Sequence, residues 1–302
     1  LDELTLACVW MAGGQEGTAS MSIYGSALQS GKPSWSKPIL LSQDPSRSEQ
    51  NPLLFLSADG MIHLIHTAQE ARSQDDQSWQ KISSTFSKQW TATLRHQSTK
   101  QWGHRWTPAE DLFELPAFCR HPPAKAANGL WLLPIYRSLE KGGAFGHDHS
   151  LILPLDDKGT ITGVTVDIPE SVGRVHGSIV KTADGQRLLQ FFRSRLADCI
   201  YRSFGSLDGR SWTSPEPIRL PNNNSSVFAL RLTNGLLAIA FNRVRAQSEE
   251  IPVWGQAIWP QTRWPLSIAI SDDDGNSWPW VRDIDPGYGF SGEKNWYLNG
   301  QI

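Results

Sequence analysis

Near its C-terminal end the chain reads Ser271-Asp272-Asp273-Asp274-Gly275-Asn276-Ser277-Trp278, a Ser-x-Asp-x-Gly-x-x-Trp frame that constrains the fold more than any other stretch. An Asp carboxylate in such a frame accepts bonds from turn N–H groups. Gly takes a backbone conformation that a Cβ would forbid, and Trp fills the gap between neighbouring sheets. The frame therefore predicts a stapled β-hairpin rather than a reactive site, and its three aspartates are explained by the turn.

Degraded copies lie upstream. Ser206-Leu207-Asp208-Gly209-Arg210-Ser211-Trp212 lacks one residue between Ser and Gly. Thr99-Lys100-Gln101-Trp102-Gly103-His104-Arg105-Trp106 has Gln in place of Asp, and Ser30-Gly31-Lys32-Pro33-Ser34-Trp35 keeps little beyond Gly and Trp. Two-residue turn signals between apolar runs recur at Asp59-Gly60, Asn128-Gly129, Asp184-Gly185 and Asn234-Gly235, pairs that favour type I′ hairpins. No segment carries capped helical periodicity over ten residues. Repetition on this scale predicts an all-β chain, a β-propeller of four-stranded blades. The blades fall at roughly 1–45, 46–115, 116–170, 171–220 and 221–285, so about five are visible within one domain spanning 1–302.

Composition agrees. A chain of 302 residues with 14 Trp, 25 Gly and 19 Pro can bury a β-rich core in a single domain. The net charge of -2 gives no electrostatic case for nucleic acid or an anionic membrane. No apolar run approaches a membrane span and no signal peptide is visible, although a secreted or periplasmic location is slightly favoured. Cys8, Cys119 and Cys199 have no metal-type spacing and read as buried thiols. Neither a cofactor nor a metal is expected, and oligomeric state is left open.

Taken together, the repeated frame (known as an Asp box), Trp10-Met11-Ala12-Gly13-Gly14-Gln15-Glu16-Gly17, Gln50-Asn51-Pro52, Cys119-Arg120-His121-Pro122-Pro123, Pro221-Asn222-Asn223-Asn224-Ser225 and Arg263-Trp264-Pro265-Leu266-Ser267 resemble the sialidase (neuraminidase) superfamily. The resemblance is to the bacterial BNR-repeat branch of predicted neuraminidases. It implies a six-bladed propeller and a glycoside hydrolase that releases a terminal carboxylate-bearing sugar, such as sialic acid, from a glycan.

Sialidases hold the substrate carboxylate with arginines, whose planar fork stays charged and pairs bidentately with it. The resemblance places two of these at Arg193, in Phe191-Phe192-Arg193-Ser194-Arg195, and at Arg263. Ordinary salt bridges are the alternative for both. Arg195 shares a strand face with Arg193 by alternation. Arg120 and His121, fixed by two following prolines, are candidates at the start of a blade. Glu16 stands where the family carries its acid/base carboxylate, and it is the candidate proton donor. The nucleophilic Tyr would be Tyr288 or Tyr297. The Glu that should activate it is missing, and His176 occupies that stretch as a substitute base or a structural histidine.

A further cluster, Tyr136, Arg137, His147 and His149 around Asp148, leaves a second reading open. A polysaccharide lyase or hydrolase acting on uronate glycans would use Arg120, His121, Tyr136 and His147. A non-catalytic glycan-binding propeller is the third. Trp79, Trp90, Trp254 and Trp259 are candidates for a sugar-stacking rim or for loop packing.

Overall fold

The computed structural model describes residues 5–14, 16–71, 89–138, 147–247, 257–260 and 262–287, and they fold into two compact units. Unit 1 comprises Leu1–Pro122 with Leu155–Gly163, and unit 2 comprises Pro123–Pro154 with Val164–Ile302.

In unit 1, β1 (Thr5–Ala12), β2 (Ser22–Gln29) and β3 (Ile39–Ser42) form one antiparallel sheet. β4 (Arg47–Leu56), β5 (Ile62–Glu70), β6 (Thr93–Thr99) and β7 (Glu110–Asp111) form another. The short β8 (Phe118–Cys119) is tied to β5 by the Cys119 amide donating to Thr67 Oγ1 at 3.3 Å. In unit 2, β9 (Ala124–Lys125) pairs with β10 (Trp131–Arg137), followed by β11 (His149–Leu155) and β12 (Val166–Asp167). The next sheet is β13 (Arg174–Lys181), β14 (Leu188–Ser194), β15 (Cys199–Gly205) and β16 (Glu216–Pro221). The last is β17 (Phe228–Arg231), β18 (Leu237–Asn242), β19 (Leu266–Ser271) and β20 (Trp280–Asp285). Spatial order follows chain order in these sheets, as in a propeller blade, and their limits track the blades expected from the repeat.

β14 explains how unit 2 is packed. It is buried on both faces, so its sequence reads as an almost unbroken apolar run instead of an alternating one. Leu188 and Phe192 pack with Leu132, Ile152, Ile168 and Trp212 on one face. Leu189 and Phe191 pack with Val227, Leu237, Ile239 and Phe241 on the other. Arg193 continues the face of Leu189 and Phe191, because side chains two apart share a side of the strand.

The hairpin turns differ from the expected type. Only the glycine of each pair is left-handed, at φ 82° for Gly60, 85° for Gly129, 68° for Gly185 and 85° for Gly235. A type I′ turn needs positive φ at both central residues. Instead the Gly60 amide donates to Ser57 O at 3.0 Å and the Gly185 amide to Thr182 O at 3.0 Å. The residue before the glycine accepts bonds through its side chain: Asp59 Oδ1 from Ser57 Oγ at 2.5 Å and Asp184 Oδ1 from Thr182 Oγ1 at 2.6 Å. At the two Asp-Gly turns a hydroxyl-Asp-Gly staple therefore does the work of the primed turn.

The complete frame is built as expected. Asp273 accepts from Ser271 Oγ at 2.8 Å, from the Ser277 amide at 2.8 Å and from Ser277 Oγ at 2.7 Å. Trp278 meets Phe191 edge to face at 6.2 Å but is only half-buried. Trp212 is the better plug: it is 9% exposed, donates Nε1–H to Gly209 O at 3.0 Å and lies flat on Gly205. A Cβ on Gly205 would come within 2.7 Å of the indole, so that glycine is required for close approach. Of the cysteines, Cys119 is buried as expected and Cys199 partly so. Cys8 is exposed, because it falls on the solvent-facing alternation of β1.

Trp212→Ala is expected to destabilise the protein by about 3–5 kcal/mol, the range for emptying a buried aromatic site. Trp278→Ala should cost less, because its ring is half exposed. Urea unfolding of the two variants checks the order.

Candidate functional site

Unit 2 assembles a polar cluster from side chains far apart in sequence, and a backbone irregularity builds it. Pairing of β13 with β14 runs Val175 to Arg193 and then Ser178 to Phe191, leaving His176-Gly177 as a bulge. Bulges re-aim side chains, and His176 takes the left-handed conformation at φ 55°. A Cβ on Gly177 beside it would fall 1.8 Å from Gln190 Nε2, so a larger residue there requires the Gln190 side chain to move. The bulge sends the buried His176 ring against Tyr136 of β10, with centroids 5.0 Å apart. His176 Nδ1 lies 2.5 Å from Ser226 Oγ.

Ser226 closes a run, Asn222 to Ser226, whose five polar residues are all buried. Buried polar groups need partners, and here they bind the cluster together. Asn222 Oδ1 accepts from the amides of Ser194 and Asn224 at 3.0 Å each. Asn224, left-handed at φ 58°, accepts from Arg193 Nε through Oδ1 at 2.5 Å and donates to Ile258 O at 2.8 Å. Arg263 donates to Ser225 Oγ and, at 3.5 Å, to Asn224 O. Arg193 and Arg263 thus meet on one dipeptide.

Behind them Arg195 is fully buried and grips Asp148 Oδ2 through Nε at 2.8 Å and Nη2 at 2.5 Å. Trp259 lies over both guanidiniums, 5.8 Å from that of Arg193 and 5.3 Å from that of Arg195. It is buried, not part of an exposed rim. Tyr136 is 5.5 Å from Arg195 by the same measure. Burial pushes the Tyr136 hydroxyl up to about 12, against the pull of the Arg195 and Arg193 charges, so the phenol keeps its proton near neutrality. Arg263 is the half-buried member, whereas a ligand reaching Arg193 must shift or skirt the Trp259 indole.

Unit 1 repeats the device. β4 and β5 slip between Gln50 and Leu53, leaving Asn51-Pro52 as the irregularity, with Asn51 left-handed at φ 51°. Asn51 Oδ1 accepts from Arg120 Nη1 at 2.7 Å. His121 is buried beside it, and burial reinforced by the Arg120 charge drops its pKa to about 3. Glu16 lies exposed in the connection between β1 and β2.

Of the residues the sequence singles out, Tyr136, His176, Arg193 and Arg263 therefore come together in unit 2. Arg137 points away from Tyr136 by strand alternation, and His147 is half-buried just before β11. Arg120, His121 and Glu16 belong to unit 1, while Tyr288 and Tyr297 lie outside the described residues, as do Trp79 and Trp254. Asp148 was singled out only as the middle of the His147–His149 cluster, Asn224, Ser225 and Ser226 were not expected as site residues, and Arg195 and Trp259 take places more central than their sequence context implies. The available signal was the bulge itself: a Gly or Pro inside a strand, beside a residue that tolerates left-handed backbone.

A family model described as BNR repeat-like domain matches residues 4–293. No curated protein matches the chain. Among solved structures, the Hadza microbial sialidase Hz136 superposes with a TM-score of 0.67 at 12% identity, covering 94% of this chain and 57% of that one. The chain thus spans little more than half of that protein's length. The intramolecular trans-sialidase of Ruminococcus gnavus gives 0.66 at 11%, covering 94% and 83%. A protein of unknown function from Dyadobacter fermentans gives 0.69 at 16%, covering 94% and 80%. At these identities the likeness establishes the fold, a sialidase-like β-propeller.

Burial also predicts a pH dependence. Folding lowers His121 to about 3 and, through burial and the neighbouring His63, lowers His96 to about 4, from an ordinary value of 6.5. The unfolded chain then binds more protons between these limits, so stability is full above about pH 6.5 and falls as pH drops towards 4. Asp44 acts only lower: against the cost of its partial burial, bonds from Ser46 and Arg95 draw it down to about 2. Urea midpoints between pH 7 and 4.5 should fall for the wild type and fall less steeply for His121→Gln.

Proposed function

From a chain that belongs to the BNR repeat-like domain family and has a sialidase-like fold, we propose a glycosidase that releases a terminal carboxylate-bearing sugar, sialic acid or a relative, from glycans. The observation that carries this reading is the meeting of Arg193 and Arg263 on Asn224-Ser225. Two guanidiniums from separate parts of the chain, one clamped by a carboxamide, make a fixed cationic fork for a carboxylate. Fixing them beforehand removes the ordering cost that flexible surface arginines would impose on binding. Trp259, stacked with the Arg193 and Arg195 guanidiniums, is the apolar cover that an entering sugar face would displace and lie against.

Proton handling falls to Tyr136 and His176. Tyr136 is a neutral phenol beside Arg195, and His176 can pass a proton along its contact with Ser226. A neutral nucleophile suits a substrate that carries its own negative charge next to the reacting carbon. The same pair favours one other reading. Tyr and His beside a carboxylate-binding arginine can remove the α-proton of a uronate, which would make the protein a polysaccharide lyase.

A fluorogenic sialoside and a uronate polymer separate the two. Free sugar and fluorescence are expected from the first, without the ultraviolet absorbance of an unsaturated uronate from the second. The reverse result establishes the lyase, and binding without either product overturns both. Arg263→Ala is expected to lower kcat/KM by about a hundredfold or more, ~2.7 kcal/mol, with Arg263→Lys recovering little. His176→Ala should lower kcat while leaving KM near its original value.

A further inference from the structure

A cleft in unit 2 has features that the arginine cluster does not use. It encloses about 540 Å³ and is bounded by Asp198 and Cys199 at the start of β15, by Ile218, Arg219 and Pro221 of β16, and by the Arg243–Gln247 segment after β18. This volume lies in the range of small-ligand sites. Arg243 is committed to Asp283, with bonds of 2.9 and 2.6 Å. Arg219 and Arg245 also face the cleft, and neither makes an ion pair with any described residue.

The remaining walls suit a sugar rather than a bare ion. Asp198 Oδ2 accepts from Tyr201 at 2.9 Å, but Asp198 Oδ1 is buried without a hydrogen-bond partner among the described residues. A turn of this half-buried carboxylate would present that unsatisfied oxygen to a ligand hydroxyl. Ile218 and Pro221 supply apolar surface. Cys199 adds no charge, since burial and the Asp198 carboxylate raise its thiol to about 11.

The cleft is continuous in structure with the primary cluster. One turn, residues 194–198, carries Arg195 at one end and Asp198 at the other. At about 3.5 Å per residue their Cα atoms are at most roughly 11 Å apart. The Asn222 amide donates to Asp198 O at 3.4 Å, and the Ala246 amide donates to Ala197 O at 2.8 Å. The strand that ends at Pro221 in the cleft runs directly into Asn222–Asn224, which hold Arg193.

We infer that this cleft is a second anion-binding subsite, in which Arg219 and Arg245 take the acidic group of a neighbouring sugar while Asp198 accepts one of its hydroxyls. The substrate is therefore a glycan with acidic groups on adjacent residues, not a single acidic sugar on a neutral chain. This rests on the proposed carboxylate site at Arg193 and Arg263. The second anion is a carboxylate or a sulfate, which present the same oxygen fork to guanidinium.

The test is calorimetric titration of the whole chain, wild type and the double variant Arg219→Gln, Arg245→Gln. The ligands are N-acetylneuraminic acid, its α2,8-linked disaccharide with sulfur in place of the glycosidic oxygen so that it is not cleaved, and the same thio-disaccharide with a sulfate in place of the second carboxylate. Wild type is expected to bind the two-anion ligands about 10- to 100-fold more tightly than the single sugar, a gain worth one charge-assisted contact. The double variant should bind all three alike, with unchanged affinity for the single sugar. The stronger of the two wild-type gains identifies the second anion. Equal wild-type affinities for one- and two-anion ligands, or a preference that survives in the double variant, overturns the subsite. Failure of the primary site reads differently: Arg263→Ala would then leave the single sugar's affinity untouched.

Discussion

The hydrogen bond from Arg193 to the Asn224 carboxamide, at 2.5 Å, is the contact on which the candidate site depends. It forms only because Asn224 is left-handed, a conformation Asn tolerates better than most residues. The same residue spends its amide N–H on Asn222 and its side-chain NH₂ on Ile258. Its orientation is thereby over-determined, which is the circumstance in which a sparsely populated backbone state persists. A guanidinium held in this way is fixed before any ligand arrives. Arg195 is held differently, by the buried Asp148 carboxylate, where removal of either partner would leave an uncompensated buried charge.

This arrangement is a local form of a repeated device. In β4 and in β13 the pairing slips by an irregularity that leaves one residue left-handed, Asn51 and His176, and each re-aims a polar side chain from a strand whose neighbours are core. Asn51 orients Arg120, as Asn224 orients Arg193. The hydrophobic packing on either face of β14 and the hairpin staples keep the strands in register. The bulges are where that register yields to place polar groups. Stability and site geometry are therefore separated along each strand rather than shared between the same residues.

Much of the fold was legible in the sequence because its signals are local. The Ser-x-Asp-x-Gly-x-x-Trp frame and the glycine-bearing turns each act within a few residues, and the sheet limits follow from them. The turn type was not, because Ser57 and Thr182 hydroxyls satisfy Asp59 and Asp184 and relieve the need for a second left-handed residue. Arg193 and Arg263 were legible by resemblance. The pairing of Asp148 with Arg195 was not, since the two lie 47 residues apart and nothing local links them. Nor were Asn224 and Ser226, polar residues in a polar run that could equally have been a solvated loop. Only burial distinguishes the two cases.

The central claim is that fixed guanidiniums in unit 2 recognise a sugar carboxylate. It is tested most directly by titrating the protein with N-acetylneuraminic acid and with its methyl ester, which keeps the shape and removes the charge. The account predicts that the acid binds at least about thirtyfold more tightly than the ester, ~2 kcal/mol for a charge-assisted pair, and that Asn224→Ala erases the difference. Equal binding of acid and ester by the wild-type protein would contradict it.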